Sequence, residues 1–448
     1  MTDDPHMSAA PAARRFIPGL LREREFRNFW LGQTISVFGD QITLLAVPIV
    51  GALVLGADAA QMGLLTAVGL LPHLLFSLPA GVWLDRVAHR RRLMIVADIL
   101  RAAAILVVPV AFMAGLLTIE LLFAVAFVVG SLSVVFDISW NTLFVAVAKR
   151  EQFVQANALL SGSRSLSNVG GPALAGILIE LLSAPITLVV DALSFLGSAV
   201  FLGRIRAPEP PIDPTPGSVR DQLVAGVGFI FRDPIMRATL LSAATLNLFN
   251  FAFFALFILY VTTRLGVEPG VLGLALGAGA VGGVIGAILA PRIGRRLGLG
   301  RALLLGLILF PASLIPIPLV TGDYWVVLVM LFATEFGAGL GVMILDINAG
   351  ALLQGRTPDQ LRARAGGAFR FINYGIRPIG ALLGGALGSA LGIREALIVS
   401  TVAALGGAVW LFRSPILAIR DMPETAEVPG LVTRADDPAT PGPTPPAG

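Results

Sequence analysis

Apolar runs of about twenty residues, separated by short polar stretches, pattern almost the whole chain. They fall at 29–55, 61–84, 93–115, 119–142, 158–183 and 186–203, and again at 236–262, 271–290, 301–320, 324–347, 368–391 and 394–412. Each is long enough to cross a hydrocarbon layer of roughly 30 Å as a helix. None has the every-other-residue alternation of a barrel strand, and lipid cannot satisfy open backbone groups. The pattern predicts an all-α integral membrane protein with twelve transmembrane helices in two six-helix bundles. Residues 1–25 form a polar leading segment, 26–203 the first bundle, and 204–234 a Pro-rich, charged linker with an amphipathic helix from Val219 to Phe231. Residues 235–412 form the second bundle; 413–448 are a Pro/Ala/Thr/Gly-rich tail, read as disordered because it cannot bury a core.

Composition agrees: 56% of the 448 residues are hydrophobic and 13% charged, against about 25% charged in soluble domains, and the mean hydropathy is +0.85. Cysteine is absent, which excludes disulfides, thiolate metal sites and cysteine nucleophiles. The isoelectric point near 10.2 does not point to nucleic acid, because the basic residues sit between apolar runs, where they set topology. Arg14, Arg15, Arg22, Arg24 and Arg27 precede the first span. The even-numbered loops hold Arg86, Arg90, Arg91 and Arg92, then Lys149 and Arg150, then Arg204, Arg206, Arg220 and Arg232. They continue with Arg292, Arg295, Arg296 and Arg301, then Arg356, Arg362 and Arg364, while the odd-numbered loops offer only Arg264 and Arg394. Both termini and the linker are therefore expected in the cytoplasm, with the chain in the cell membrane. No cleavable signal peptide is read, so the first span is expected to be its own insertion signal.

The halves repeat. At an offset of 209, Phe136-Asp137-Ile138-Ser139 lies over Leu345-Asp346-Ile347-Asn348. At 210, Arg27, Gly63 and Gly69 match Arg237, Gly273 and Gly279, and at 206 Arg164 and Pro172 match Arg370 and Pro378. Parallel six-helix repeats are a transporter architecture, with the substrate path between the halves.

Between the second and third spans lies Gly81-Val-Trp-Leu-Asp85-Arg86-Val-Ala88-His89-Arg90-Arg91-Arg92. Gly81, Asp85, Arg86, Arg90 and Arg91 resemble the signature loop of the major facilitator superfamily, with Ala88 where Gly is usual and His89 where Arg is usual. Phe136-Asp137, Ala156-Asn157-Ala158-Leu159 and Gly171-Pro172-x-x-x-Gly176 resemble its exporter branch containing macrolide efflux pumps and the enterobactin exporter. Gly171, Pro172 and Gly176 are also similar to the fifth-helix motif of proton-coupled antiporters. The physical content is a proline that removes a backbone hydrogen bond and glycines that admit a neighbouring helix. The resemblance implies a cytoplasmic gate at Gly81, Asp85, Arg86, Arg90 and Arg91.

A charge at mid-membrane costs roughly 2.5–3.5 kcal/mol even on the mildest scale. The acidic set is Asp40, Asp98, Asp137, Asp191, Glu335 and Asp346; the basic set is Arg101, Arg164, Arg370 and Arg377. Six against four leaves two carboxylates over, and surplus intramembrane carboxylates are natural proton carriers because a low dielectric favours the uncharged form. Asp137 and Asp346 are duplicated, and the residue count puts Asp137 at a helix end beside the arginine loop, so the pair reads as gate latches. Asp40 aligns with Asn250 and Glu335 with Ala126; both lie near the midplane and are the proton-coupling candidates. The alternative for these two acids is permanent pairing with Arg164, Arg370 or Arg377. Gln33, Ser36, Asn247, Asn250, Arg164, Asn373, Tyr374 and Arg377 are expected to line the substrate cavity. Asp98 and Arg101 are expected to pair with each other or with the nearby loop, Asp191 to face water near an outer end, and His73 to be a hydrogen-bonded packing residue, with a proton relay as its alternative role. Gly277-x-Gly279-x-x-Gly282 lacks a preceding strand, so it is helix packing and not a dinucleotide loop. Phe254 and Phe257 are candidates to line a pathway for an apolar substrate.

The function expected is export of a hydrophobic or amphipathic small molecule, such as a drug, antibiotic or secondary metabolite, in exchange for protons by alternating access. Siderophore export or nutrient uptake is the alternative. A membrane receptor or enzyme fits less well: His6, His73 and His89 are scattered, and no nucleotide-binding loop, metal cluster or appended soluble domain is visible. The partners expected are a small-molecule substrate, protons and the lipid bilayer, with no nucleic acid and no cofactor or metal; a monomer is expected.

Overall fold

The computed structural model describes residues 19–84, 87, 89–208 and 219–420. Asp85 and Arg86 of the expected gate lie outside the described residues, as does the side-chain environment of Gly81. Among the described residues all regular structure is helical. The first bundle comprises α1 (Arg24–Ile49, continued by a π-helical turn Val50–Val54), α2 (Ala59–Leu84), α3 (Arg90–Met113), α4 (Ile119–Val147), α5 (Phe153–Leu182) and α6 (Ala184–Gly203). The linker helix α7 is Val219–Arg232. The second bundle comprises α8 (Pro234–Thr263), α9 (Pro269–Leu297), α10 (Leu299–Leu314) with the short α11 (Pro316–Leu319), and α12 (Tyr324–Arg356). It ends with α13 (Arg362–Leu391), α14 (Ile393–Leu405) and α15 (Ala408–Phe412).

Eleven helices among the described residues are long and apolar enough to cross a membrane. The long helix outside that set is α13, whose Arg370, Asn373 and Arg377 dilute its apolar content although it runs 30 residues. Several helices outrun their apolar stretches at the face that carries Gly19 and Arg420, the terminal face hereafter. There α4 reaches Val147 and α12 reaches Arg356, because backbone hydrogen bonding continues where side chains have left the apolar layer. Asp233 caps α8: one carboxylate oxygen accepts from the Ile235 and Met236 amides, each at 2.9 Å, and the other from Arg356 Nε at 2.9 Å. At the equivalent place before α1, offset by 210, Glu23 accepts from Gln152 at 2.6 Å. Residues 413–420, which the sequence assigned to the tail, pack here: Ile416 is buried, and the Leu299 amide donates to Arg420 O at 3.1 Å.

The repeat is visible in the helices themselves. A short 3-10 turn precedes both α5 and α13, and the left-handed residues Ser183 (φ 76°) and Gly392 (φ 99°) follow them, all at an offset of 209. That register corrects the offset of 206. Arg164 is equivalent in depth to Asn373, and Arg370 sits three residues, roughly 4.5 Å, nearer the terminal face.

The bundles meet through α2 against α13 and α5 against α9. Small residues make the meeting possible. A Cβ on Gly63 would lie 2.6 Å from Gly385 Cα, and one on Gly176 2.5 Å from Pro269 O. These positions lie toward the face opposite the termini, the distal face. A buried apolar cluster spans both bundles there, joining Ile49, Leu65 and Leu188 to Phe257, Leu272 and Leu331. At the terminal face the buried clusters belong to one bundle each, the second bundle's including residues of α7. The molecule is closed at the distal face and parted at the terminal face.

Candidate functional site

The parting leaves a cavity whose two walls differ in chemistry. In the first bundle, Arg101 on α3 lies at the centre of a charged core. Its Nη1 donates to Asp98 Oδ1 at 3.1 Å, one helical turn away, and its Nη2 to Asp40 Oδ1 on α1 at 2.8 Å. Phe195 of α6 packs on the guanidinium at 3.9 Å from its centroid, with Phe136 of α4 at 5.3 Å. Asp98 is fully buried, whereas the Asp40 side chain keeps 47% of its surface accessible. Asp191 is also fully buried and accepts hydrogen bonds from Thr43 and Ser194. Gly39 on α1 is required at this point, because a Cβ there would collide with Ser194 and Asp191.

Two carboxylates thus hold one guanidinium, and a third, Asp191, lies nearby on α6 with Thr43 and Ser194 as its partners. The expected pairing of Asp98 with Arg101 is present. Asp40 has an arginine partner, as the alternative reading had it, but that partner is Arg101 and none of Arg164, Arg370 and Arg377. The expectation for Asp191 is corrected: it does not face water but turns inward, because α6 packs on α1 through the Gly32–Gly39 face. Ser36 shares that face and is buried, as is Gln33, so neither lines the open cavity. At the register of the helices, Asp40, Asp98, Arg101 and Asp191 fall over Asn250, Leu307, Phe310 and Ser400. The charged core belongs to the first bundle alone.

Asp137 and Asp346 each lie ten residues short of their helix ends at Val147 and Arg356, roughly 15 Å by helical rise. Both are exposed, and neither sits at the helix end that the residue count suggested. Asp137 has His73 of α2 beside it, Nε2 to Oδ2 at 3.9 Å. Arg164 is exposed and stacks over Trp140 at 5.3 Å. Of the gate arginines, Arg90 is buried with Nε donating to Val87 O at 3.1 Å, and Arg91 is half-buried.

The second bundle's wall holds a polar cavity of about 400 Å³ lined by Asn247, Asn250, Asp346, Arg370, Asn373, Tyr374 and Arg377. These asparagines, Tyr374 and Arg377 thus come together around one cavity. Asn247 Nδ2 donates to Asn373 Oδ1 at 3.1 Å, and the Arg377 guanidinium stacks on Tyr374 at 4.0 Å and on Phe251 at 5.0 Å. A second, apolar cavity of about 290 Å³ lies between the bundles, lined by Leu44, Val47, Leu70, Val129, Phe251 and Phe254, with His73 at its rim. Phe254 lines it as expected; Phe257 is buried in the distal cluster. Glu335 on α12 lies against Gly279 of α9 and has no hydrogen bond or ion pair among the described residues. In α5, Gly171 admits Gln41 of α1, Gly176 admits α9 of the other bundle, and the Pro172 carbonyl faces Gly273. The helix-5 motif is thus a packing seam shared by α1, α5 and α9.

Two six-helix bundles around a parted, charged cavity give a multi-span membrane protein of the major facilitator fold. Residues 16–431 match the family described as transmembrane secretion effector, and the chain belongs to that family of the major facilitator superfamily. It is similar to the multidrug efflux pump Tap of Mycolicibacterium fortuitum, 28% identical over 377 residues that span 80% of this chain and 88% of Tap. Macrolide efflux protein A of Streptococcus pyogenes is 23% identical over 185 residues, 41% of this chain and 45% of that one. Among solved structures, the fold is similar to a bacterial homologue of the iron transporter ferroportin in an inward-facing state. That match has a TM-score of 0.71 and 20% identity, and covers 88% of this chain and 99% of the other.

Proposed function

We propose that this chain exports a hydrophobic or amphipathic small molecule from the cytoplasm in exchange for protons, by alternating access across the cell membrane. Both termini, and with them the terminal face, lie in the cytoplasm in this reading. The arginine bias of the loops supports that orientation, and the likeness to efflux proteins supports the direction of transport. The conformation described here is then the one that loads substrate from the cytoplasm. The apolar cavity suits an apolar body, and the polar wall around Asn247, Asn373 and Arg377 suits its hydrogen-bonding edge.

The observation that carries proton coupling is the unduplicated core of Asp40, Asp98 and Asp191 around Arg101. One guanidinium cannot neutralise three carboxylates in a low dielectric, so the core binds protons in a number that depends on what else is near. Asp40 is the member with an accessible side chain, which makes it the exchange point. When a proton takes Asp40, Arg101 is left to Asp98; when the proton leaves, Arg101 bridges both. Glu335, with no partner among the described residues and against the α9–α12 seam, is the second exchange point. A membrane potential supplies about 2.3 kcal/mol per charge per 100 mV, enough to drive uphill efflux. The test is proton release on substrate addition to purified protein in weakly buffered detergent solution. Release is expected from wild type and reduced in Asp40→Asn and Glu335→Gln; undiminished release in both single variants would remove these residues from the mechanism.

A further inference from the structure

We propose that the acidic segment 421–427 docks on the arginine corner where α9 turns into α10, and that it thereby opposes closure of the terminal face. This rests on the alternating access of the proposed function, but on neither its substrate nor its protons.

The corner is strongly basic. Arg292, Arg295 and Arg296 end α9 and Arg301 lies in the first turn of α10, all four exposed. Arg292 donates to Ile288 O of its own helix at 3.2 Å, and no carboxylate pairs with any of the four among the described residues. Elsewhere on this bundle Arg356 is held by Asp233 and Arg362 by Asp359. Arg292 and Arg296 are four residues apart, a spacing at which like charges destabilise a helix.

The described chain ends at this corner. The Leu299 and Gly300 amides donate to Arg420 O and Ile419 O, each at 3.1 Å, and a Cβ on Gly298 would lie 3.0 Å from Arg420 Cα. By helical rise, the backbones of all four arginines fall within roughly 15 Å of Arg420. The sequence continues Asp421-Met-Pro-Glu424-Thr-Ala-Glu427, with no basic residue before Arg434. An extended chain of that length reaches ~25 Å, so all three carboxylates can meet the guanidinium groups. An anionic lipid headgroup offers the same charge, but a tethered segment is held at an effective concentration on the order of millimolar or above.

The corner also lies on the side of α9 that faces the other bundle. Gly270, Gly273 and Gly277 lie on α5: Gly270 meets Gly176, Gly273 the Pro172 carbonyl, and a Cβ on Gly277 would be 2.8 Å from Val169 O. The same stripe continues, at steps of three and four, through Val281, Val284 and Ile288 to Arg292 and Arg295. That half is exposed, because the bundles part there. The register that sets 176 opposite 270 and 169 opposite 277, carried on, sets Ala158 opposite Ile288 and Glu151 opposite Arg295. Glu151 is exposed and has no ion pair among the described residues. Closure brings it to Arg295, and a segment already seated there competes with it. Exposed pairs are weak and screened by salt, so docking lowers the closed fraction about fivefold at low ionic strength and has little effect near ~1 M salt.

Two measurements on the purified full-length protein test this, and the absence of cysteine makes both clean. Spin labels at Thr425→Cys and Val224→Cys, the latter exposed on α7, report docking. A narrow distance distribution is expected at low ionic strength, broadening near ~1 M salt and in Arg295→Gln/Arg296→Gln. Disulfide formation between Ala158→Cys and Ile288→Cys under copper phenanthroline reports visits to the terminally closed state. Combining Asp421→Asn, Glu424→Gln and Glu427→Gln is expected to speed it about fivefold at low ionic strength and to leave it unchanged near ~1 M salt. A broad distribution at low ionic strength overturns docking. So does one that is narrow in detergent and broad in phosphatidylglycerol vesicles, because lipid then holds the corner. Equal disulfide rates with and without the three carboxylates, or no disulfide in either protein, overturn the effect on closure. Neither measurement needs substrate or a proton gradient, so each can fail with substrate-induced proton release intact, and loss of that release leaves both standing.

Discussion

Arg101 is the residue on which the first bundle's interior depends most. It is nearly fully buried, spans two carboxylates and lies between two phenylalanine rings. Removing one partner of such a group leaves an uncompensated buried charge, at a cost of about 3–5 kcal/mol. Arg101→Gln should therefore lower the thermal midpoint in detergent well below that of Arg164→Gln, because Arg164 is exposed and loses only its stacking on Trp140. Adding Asp98→Asn should recover part of the loss, and equal midpoints for Arg101→Gln and Arg164→Gln would show that the core is not held this way. Asp40→Asn should keep the fold and downhill substrate exchange but lose accumulation against a gradient in proteoliposomes. Sequence alone marks Asp40, Asp98, Asp191 and Arg101 as charges needing a reason. It cannot bring them together, because α1, α3 and α6 meet only in three dimensions. Asp191 is the clearest case. Depth counted along α6 suggests water, and only the packing of Gly39 against Ser194 shows that the side chain turns inward.

At the scale of helices, the distal seam is built from residues without side chains. Gly63 against Gly385 and Gly176 against Pro269 allow backbones to touch, and close backbone approach is the chief source of helix association in lipid. Gly63→Leu should therefore destabilise the distally closed state. The chain has no cysteine, so a single Ser133→Cys in the apolar cavity reports access cleanly. In proteoliposomes a membrane-impermeant maleimide should reach it from the terminal face in the parent and from the distal face once Gly63→Leu is added; unchanged sidedness would argue against the seam as the closing element. Helix number and most spans were legible in the hydropathy pattern, because that pattern is the constraint lipid imposes. Helix ends at the terminal face were not, since polar continuations such as 348–356 of α12 carry no lipid signal. The register of α5 against α13 was misread by three residues, because matching arginines and prolines outweighed the flanking turns that fix it.

Over the whole molecule, two bundles of similar architecture differ in their interiors: one holds a buried cluster of charge, the other asparagine, leucine, phenylalanine and serine in its place. Rocking of the bundles about the distal seam would carry the Asp40 side chain and the two cavities from one face to the other, which is the motion alternating access requires. The resemblance in the arginine loop and the repeat disclosed the fold from sequence; the division of the cavity into an acidic wall, a polar wall and an apolar cleft did not appear there, because it depends on which helix faces turn inward. Distances between spin labels at two pairs of positions test the motion most directly. Val145 and Gln354 are exposed near the terminal ends of α4 and α12, and Leu116 and Trp325 are exposed near the distal ends of the same helices. Between conditions that favour the two states, with and without a transported substrate and at alkaline and acidic pH, the distance between the first pair should shorten as the second lengthens. Two distances that stay fixed in protein shown to transport would contradict alternating access about this seam.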